Sequence, residues 1–457
     1  MSKGHLSRFR NYAVRVRFLR GTCRGIPASV QHNVVTALAR LSKDSLPLLP
    51  NLTELLWNEL DLSTDMVMPI PLVKFFAGPR VTSLSLLLPL HWMRRSVRAV
   101  LSDLPDLCPN VTSFAVRPYD SDRFYDDDCR YILGDIVRRW PHLQVLQIYP
   151  VFMTELASMP ALHTLNIEIE QHTTEFYVGK LPDTIHTFSL RTSSLWYYPR
   201  CLDTLQGSPT RLHLGIGPYG LSPSGVGDVF QALPTRFNNA RLHALTIEFT
   251  APPYDPDAQP SSLLTEALLA SLYAFSALRT LDLNSFCTGA LDDATYARMA
   301  ATWPELRCLK MGTTAFSEMG PVRASVGAVI AVLNSCPHLQ TLHIVFDGSI
   351  LPLSSLVVTE VDRGGQHHGE PVRGSKEVVA TNEVNRWGGI SNRHITQIHV
   401  GHSPIREGVD RLKRLASCLR SVMPRLGTIR SKEEPSDVAD RWRMVQHLLE
   451  GGDALAL

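Results

Sequence analysis

The sequence of 457 residues lacks most features that would mark a secreted, membrane-bound or metal-binding protein. It contains no apolar run of 18 or more residues, and its N-terminus has no apolar leader, which argues against a membrane span and a secretory signal. Its eight cysteines form no CxxC pair, so neither a zinc site nor a disulfide framework is indicated. We therefore predict an intracellular protein, cytoplasmic or nuclear.

An excess of charge of one sign is missing as well. The chain has 45 Lys and Arg against 43 Asp and Glu, a formal net charge of +2, and only 19% of its residues are charged. Such a chain lacks the long-range field that draws basic proteins to nucleic acids and anionic membranes. We predict no nucleic-acid partner and no membrane partner.

Patterns that carry catalysis or hold a cofactor are also missing. No Ser-His-Asp, paired-carboxylate or phosphate-loop pattern stands out, and only a triad assembled by folding stays open. Gly215, Gly217 and Gly220 have the spacing of a dinucleotide loop, but Pro218 and Pro223 oppose the helix that must open within such a loop. We interpret this stretch as a loop between repeats. The chain is predicted to be no enzyme, with no catalytic residues, metal or cofactor.

What the sequence does contain is a recurring phrase. A Pro, one or two residues and then Leu-x-x-Leu-x-Leu or a close variant appear as PNLTELLW, PHLQVLQI, PALHTLNI, PELRCLKM and PHLQTLHI. A unit of this kind cannot bury its own apolar face, so neighbouring units must stack and share one core. The phrase is typical of leucine-rich repeats.

The apolar residues of each phrase form a triplet, and its last two members alternate with a non-core residue. This period of two predicts a short strand with one buried face, and such strands should stack in parallel. Up to Leu339 the first members lie about 19 to 36 residues apart, around and beyond the usual 20 to 29. The triplets are Leu52, Leu55, Trp57; Val81, Leu84, Leu86; Val111, Phe114, Val116; Leu143, Leu146, Ile148; Leu162, Leu165, Ile167; Ile185, Phe188, Leu190; Leu242, Leu245, Ile247; Leu278, Leu281, Leu283; Leu306, Leu309, Met311; Leu339, Leu342, Ile344; and Ile395, Ile398, Val400, with a weaker copy at Leu212 and Leu214.

Helical patterns fill the longer repeats. DDDCRYILGDIVRRW, LDDATYARMAATW and ASVGAVIAVLNSC place apolar residues three and four positions apart. Asp126, Asp292 and Ser325 suit the first turns of these helices, because their side-chain oxygens can accept from free amides. The predicted fold class is therefore α/β, an irregular leucine-rich-repeat solenoid with parallel strands on its concave face and helices on its convex face.

One further slot precedes the Pro of several phrases. It is occupied by Cys108, Trp140, Trp303 and Cys336. Because Cys and Trp interchange there, we predict a position filled by packing, since neither metal ligation nor nucleophilic chemistry would tolerate the exchange.

We predict four parts along the chain. Residues 1–60 form an N-terminal cap with the first repeat, and 61–350 form the leucine-rich-repeat solenoid. Residues 351–393 form a polar, Gly-rich loop insertion, and 394–457 form a C-terminal repeat with capping helices.

The basic N-terminus allows two interpretations. The first 43 residues hold nine Lys or Arg and no Asp or Glu, as in a mitochondrial presequence. Alternatively, Val14, Val16 and Phe18 alternate with Arg15 and Arg17 as the inward residues of an edge strand would. We favour the strand.

The repeat pattern and the first sixty residues resemble the F-box and leucine-rich-repeat proteins of mushroom-forming fungi. The resemblance is carried by RFRNYAVRVRFL and by PLLPNLTELLW at 47–57. In that family an F-box, a three-helix module, precedes the repeats and docks on the adaptor of a cullin-RING ubiquitin ligase. No such module is detected before residue 45, so it either was lost or lies upstream. The resemblance implies a recognition solenoid.

The strand residues that alternate with the core define a candidate surface for a protein partner on the concave face. Their mixed charge fits a protein interface better than a groove that follows phosphates, although a solvated face without a dedicated ligand stays open. We predict a non-enzymatic recognition module that resembles the substrate-binding part of an F-box receptor, and the alternative is a stand-alone scaffold without a ligase connection. If an F-box lies upstream, the cullin-RING adaptor is a second partner. The candidate residues are Asn166, Glu168, Ser189, Arg191, Thr246, Glu248, Asp282, Asn284, Lys310, His343 and His399.

Overall fold

The computed structural model divides the chain into two compact units, Met1–Ser262 and Leu263–Leu457. It describes residues 3–22, 37, 46–58, 73–88, 95–118, 127–148, 156, 159–169, 180–194, 197–219, 223–249, 263–314, 321–351, 391–431 and 437–451. The predicted boundaries near 60, 350 and 393 stay predictions. Most of the insertion at 351–393 lies outside the described residues, and so does Asp126 itself. The helix predicted to begin at Asp126 is described from Asp127 onwards.

The described residues of the first unit form nine strands that pair in parallel, each with the next along the chain. Its strands are β1 Phe18–Thr22, β2 Glu54–Asn58, β3 Ser83–Leu88, β4 Ser113–Pro118, β5 Val145–Ile148, β6 Thr164–Ile169, β7 Thr187–Ser194, β8 Arg211–Tyr219 and β9 Ala244–Phe249. Its helices are α1 Lys3–Ala13, α2 Val73–Phe76, α3 Arg95–Leu107, α4 Asp127–Arg138, α5 Tyr197–Thr204 and α6 Pro223–Arg236.

The second unit repeats this plan, with five parallel strands in the part of it that the structure describes. Its strands are β10 Thr280–Leu283, β11 Cys308–Met311, β12 Thr341–His343, β13 Gln397–Gly401 and β14 Thr428–Ser431. Its helices are α7 Glu266–Leu272, α8 Asp293–Thr302, α9 Val326–Ser335, α10 Val409–Val422 and α11 Asp437–Leu449. In the described part of the chain no helix is long and apolar enough to cross a membrane.

The core of each unit lies between its strands and its helices. Every member of the predicted triplets is buried, and the most exposed of them, Trp57, is only 8% exposed. The strand register aligns like with like, so that Leu281 faces Leu309 and Leu309 faces Leu342. The predicted α/β leucine-rich-repeat solenoid is confirmed.

A carbonyl just before most strands keeps irregular repeats in register. The Arg17 carbonyl accepts the N–H groups of Thr53 and Glu54 at 2.8 and 3.0 Å, and the Thr53 carbonyl accepts those of Thr82 and Ser83 at 2.9 and 3.1 Å. The hydroxyl of Thr53 also donates to the Arg17 carbonyl, at 2.9 Å. Because this pairing aligns each strand before it begins, the helical segments between strands can differ in length without shifting the core.

The slot before the Pro is filled by packing, as predicted. Cys108, Trp140, Trp303 and Cys336 are at most 1% exposed. The Trp140 Nε1–H donates to the Cys108 carbonyl at 2.8 Å, and the Cys336 thiol donates to the Trp303 carbonyl at 3.4 Å. Burial raises the pKa of Cys108 to about 11 and that of Cys336 to about 12, so both thiols stay protonated near neutral pH.

The predicted helix starts at Asp292 and Ser325 are confirmed, and they are linked. Asp292 accepts the Thr295 N–H at 2.8 Å, and Ser325 Oγ accepts the Gly327 N–H at 2.9 Å. Asp293 then accepts both the N–H and the hydroxyl of Ser325 at 2.6 and 2.5 Å, which joins the start of α8 to that of α9. A side chain at Gly327 would place its Cβ 2.5 Å from an Asp293 oxygen.

The N-terminal strand exists, but its predicted inward residues are wrong. Phe18 is 54% exposed and Val14 46% exposed, while Leu19 pairs with the core residue Leu55. The Arg17 carbonyl sets this register, because it must lie one residue before β1. The targeting interpretation of the basic N-terminus stays a prediction.

The glycine stretch is not the predicted loop. Gly215 and Gly217 lie inside β8, which continues to Tyr219, and α6 begins at Pro223. A Cβ at Gly217 would lie 2.2 Å from the Ser193 carbonyl oxygen. Glycine at this position therefore allows β7 and β8 to stay paired beyond the usual length of a repeat strand.

The last helix of the second unit closes that unit. The Trp442 Nε1–H donates to the Ser403 carbonyl at 2.8 Å, and its ring meets Phe346 edge-on with 5.6 Å between centroids. Gln446 accepts the Ile429 N–H at 2.5 Å and donates to the Gly427 carbonyl at 2.6 Å. Both partners of Gln446 lie at or just before β14, so α11 covers one side of that strand.

Candidate functional site

The residues that alternate with the core triplets form what we call the strand face of each unit. The register places every predicted site residue except Asn284 on it, and Asn284 directly follows β10. Asn166 and Glu168 lie on β6, Ser189 and Arg191 on β7, Thr246 and Glu248 on β9, Asp282 and Asn284 at β10, Lys310 on β11, His343 on β12 and His399 on β13.

In the first unit the charges of the strand face are paired with one another. Arg191 Nη2 lies 3.3 Å from Glu248 Oε1, although these residues belong to β7 and β9. The intervening position on β8 is Gly215, where a Cβ would come within 2.8 Å of Arg191 Cγ. Arg191 therefore reaches Glu248 through space that only a glycine leaves open.

A histidine completes this group. His213 Nε2 lies 3.0 Å from Glu248 Oε1, and its Nδ1 lies 3.2 Å from the hydroxyl of Ser189. The hydrogen bond from His213, together with the charges of His213 and Arg191, holds the pKa of Glu248 below its ordinary value. We call Ser189, Arg191, His213 and Glu248 the β7–β9 cluster.

The β7–β9 cluster has the residue types of a catalytic triad without the surroundings of one. Ser189 is only 7% exposed. It lies mid-strand, where the backbone amides of β7 are engaged in ladders with β6 and β8, so they do not form an oxyanion hole for it. The geometry supports a fixed hydrogen-bonded chain.

A second pair lies nearer the N-terminus of the same unit. Arg117 Nε on β4 lies 3.7 Å from Glu168 Oε2 on β6. Both side chains are partly exposed, 50% and 32% respectively. Charges of opposite sign therefore compensate each other along this part of the strand face.

The second unit carries a row of titratable side chains on five successive strands. We call Asp282, Lys310, His343, His399 and Arg430 the unit 2 row; they follow one another in strand register. Lys310 Nζ lies 2.9 Å from Asp282 Oδ2. The rings of His343 and His399 stack, with 4.9 Å between centroids and 24° between planes.

Burial, assisted by neighbouring positive charge, keeps the histidines of the unit 2 row neutral near pH 7. Burial, with the charges of His399, Lys310 and Arg430, lowers the pKa of His343 to about 4. Burial and the charge of Arg430 also lower the pKa of His399. The hydrogen bond to Asp282 raises the pKa of Lys310, which keeps that ammonium charged.

The tautomer of His399 follows from one contact. The Gly401 N–H points at His399 Nδ1 from 3.3 Å, so this nitrogen is the acceptor. In the neutral ring the proton must then be on Nε2. His399 thus offers a donor, while Nδ1 of His343 is buried without a partner among the described residues.

Two of the uncharged predicted site residues are also held by hydrogen bonds within the chain. The side-chain oxygen of Asn284 accepts the N–H and the hydroxyl of Thr313 at 3.0 and 2.6 Å. Ser189 is engaged by His213. These two residues hold the strand face in place more than they present groups to a partner.

Sequence reasoning missed Arg117, His213, Gly215 and Arg430. The signal for His213 was present, since it lies between Leu212 and Leu214. Arg117 follows the triplet member Val116 in the same register. Arg430 directly follows Ile429, which pairs with the core residue Ile398.

Cysteine chemistry and metal binding receive little support from the geometry. Burial raises the pKa of Cys308, the partly exposed thiol on β11, which keeps it protonated. Among the described residues, no three His, Cys, Asp or Glu side chains are grouped so that they could hold a metal ion.

The chain was compared with protein families, curated proteins and solved structures, and the solved structures gave matches. No protein-family model matches the chain, and no curated protein matches its sequence. Among solved structures, the chain is similar to the leucine-rich repeat-containing protein LegL7 from Legionella pneumophila, with 14% identity over 82% of this chain and 93% of that chain and a TM-score of 0.34.

Proposed function

We propose that the chain is a non-enzymatic recognition module that binds a protein partner through its strand face. The observation that carries this proposal is that neighbouring residues hold the polar side chains of the strand face in fixed positions. Within each unit, half-exposed polar side chains recur at register positions and are held by neighbours such as Glu248 and Asp282. Preorganised side chains lose little entropy on binding, which favours a specific interface.

At a finer level we propose that this recognition serves a ubiquitin ligase, as in the F-box and leucine-rich-repeat proteins that the sequence resembles. The segment RFRNYAVRVRFL, which carries part of that resemblance, spans the end of α1 and the start of β1. The alternative is a stand-alone scaffold without a ligase connection. We also propose a cytoplasmic or nuclear location, in keeping with the free thiols of the described cysteines.

A matched pair of threonine variants tests the recognition surface. Thr246 is a half-buried residue of the strand face, and Thr235 is exposed near the end of α6. Thr246→Arg should block a partner on the strand face, while Thr235→Arg adds the same side chain elsewhere. Charge reversal at Arg191 is less suitable, because it would leave a carboxylate facing Glu248.

The measurement is quantitative mass spectrometry of proteins captured from a fungal extract by the tagged wild type and both variants. We expect at least one protein that Thr235→Arg retains and Thr246→Arg loses, with both variants keeping the wild-type melting temperature. A capture profile that is identical for the two variants would exclude the strand face as the binding surface.

The same samples discriminate the two finer proposals. Adaptor and cullin in stoichiometric amounts with the wild-type chain would support the ligase role. A partner that depends on Thr246 but comes without adaptor or cullin would support the scaffold.

A further inference from the structure

We propose that the unit 2 row binds an acidic segment of the protein partner, and that its histidines take up protons when the carboxylates arrive. This inference rests on the proposed function and names the chemistry of one part of the recognition surface. The occupant is a stretch of Asp or Glu side chains in an extended peptide.

The charges of the row favour carboxylates. Its one acid, Asp282, is already engaged by Lys310 at 2.9 Å and by the Asn284 N–H at 3.2 Å. Arg430 is exposed at the other end of the row, and no described carboxylate is ion-paired with it. An ammonium and a guanidinium thus flank two neutral rings, and an incoming carboxylate meets a net positive strip.

The donors of the row also suit an acceptor ligand. His399 presents its Nε2–H, because its Nδ1 accepts from the Gly401 amide. Lys310 has ammonium protons beyond the one directed at Asp282. Strands in a parallel ladder lie about 4.8 Å apart, so donors on β11, β13 and β14 recur along the line that an extended peptide would follow.

Proton uptake follows from what faces the two rings. His343 is surrounded by Lys310 of β11, His399 of β13, Arg430 of β14 and, farther along, Asp282 of β10. His399 faces His343 and Arg430. These surroundings disfavour an imidazolium, and a carboxylate placed over the rings would favour it. By linkage, a ligand that raises these pKa values binds more tightly as the pH falls.

The first unit supplies the internal contrast. Arg191 is paired with Glu248, which also faces His213, and Arg117 lies near Glu168. Its strand face therefore offers an acidic peptide little unpaired positive charge. The inference concerns the unit 2 row alone.

The test measures binding of a fluorescein-labelled oligo-glutamate peptide by anisotropy, with oligo-glutamine as the neutral control. We expect saturable binding of oligo-glutamate only, weakened by salt and strengthened roughly tenfold between about pH 7.5 and about pH 5.5. Arg430→Gln should weaken binding about tenfold. His399→Gln should flatten the pH dependence while thermal unfolding stays close to wild type.

Arg425→Gln is the matched control. Arg425 is an exposed arginine five residues before Arg430, in the turn that precedes β14, so the variant removes the same charge away from the row. Equal losses from the two arginine variants, or no saturable binding of oligo-glutamate at either pH, would overturn the inference. If that happens while capture still depends on Thr246, the recognition function stands without an acidic ligand; if both fail, both proposals fall.

Discussion

The β7–β9 cluster and the unit 2 row are built on the same parallel scaffold and differ in how their charges are balanced. In the cluster, Glu248 is shared by Arg191 and His213 across three strands. In the row, Asp282 at one end is the single acid, Arg430 is exposed at the other end, and the two neutral histidines lie between them. With the same backbone spacing, opposite charges therefore compensate each other on the strand face of the first unit, whereas the unit 2 row stays electropositive. Whether the charges are compensated depends on the side chains at every second strand position.

The largest expected effect concerns the support beneath the unit 2 row. Trp442→Ala removes a fully buried ring and its hydrogen bond to Ser403, and we expect a loss of about 3–5 kcal/mol in unfolding free energy. Hydrogen exchange should report the loss in β12–β14. Trp442→Phe keeps most of the packing and should lose about 1 kcal/mol. An equal loss of protection in β7–β9 would show that the two regions are not supported separately.

The next effect concerns the paired strands of the β7–β9 cluster. Gly217→Ala places a Cβ 2.2 Å from the Ser193 carbonyl, and rigid backbone cannot yield as a side chain does. We expect a loss of about 1–3 kcal/mol from chemical denaturation. Gly215→Ala is the control, because its Cβ meets only the flexible stem of Arg191. Equal losses at the two positions would contradict the proposed strand contact.

Lowering the pH should change stability less than these substitutions do, and it should affect the two regions differently. His343 has an ordinary pKa of 6.5 when unfolded and about 4 when folded, so its contribution to stability is complete above about pH 6.5 and is lost as the pH falls towards about 4. Because the ring is only partly buried, we expect a loss on the order of 1 kcal/mol. The pKa of Glu248 lies below 4.5 in the folded chain, so its contribution is kept above that pH. Hydrogen exchange corrected for intrinsic rates should therefore weaken in β11–β13 but not in β7–β9 between about pH 7 and about pH 5. A His343→Asn variant should lose most of this pH dependence.

The smallest expected effect is the removal of the shared acid. Glu248→Gln leaves Arg191 and His213 in a half-exposed site, where ion pairs contribute about 0.2–1 kcal/mol. Thermal unfolding should shift by no more than a few degrees, and Glu248→Gln should bind oligo-glutamate no less tightly than wild type. A large loss of stability would mean that the cluster supports the core as well as the surface.

The core was predictable because its information is local. The Leu-x-x-Leu-x-Leu spacing places each buried residue, and the structure buries them all, from Leu52 to Val400. Asp292 and Ser325 were recognisable for the same reason, since a helix start depends on the few residues around it.

What could not be predicted depends on register between repeats. The inward residues of β1 are set by the Arg17 carbonyl and its two amide donors on the next repeat. Arg191 meets Glu248 across 57 residues of sequence, and only because Gly215 lies between them. Whether a surface charge is paired or available is therefore a property of three repeats together.

The amide of Gln446 has a consequence for how the second unit ends. Towards β14 it presents one acceptor and one donor, the same two groups that the backbone of a further strand would offer. An edge strand with unpaired N–H and C=O groups can pair with a strand of another chain, and such pairing leads to aggregation. Because Gln446 occupies two of these groups, we expect Gln446→Ala to scatter more light than wild type at temperatures below its unfolding transition.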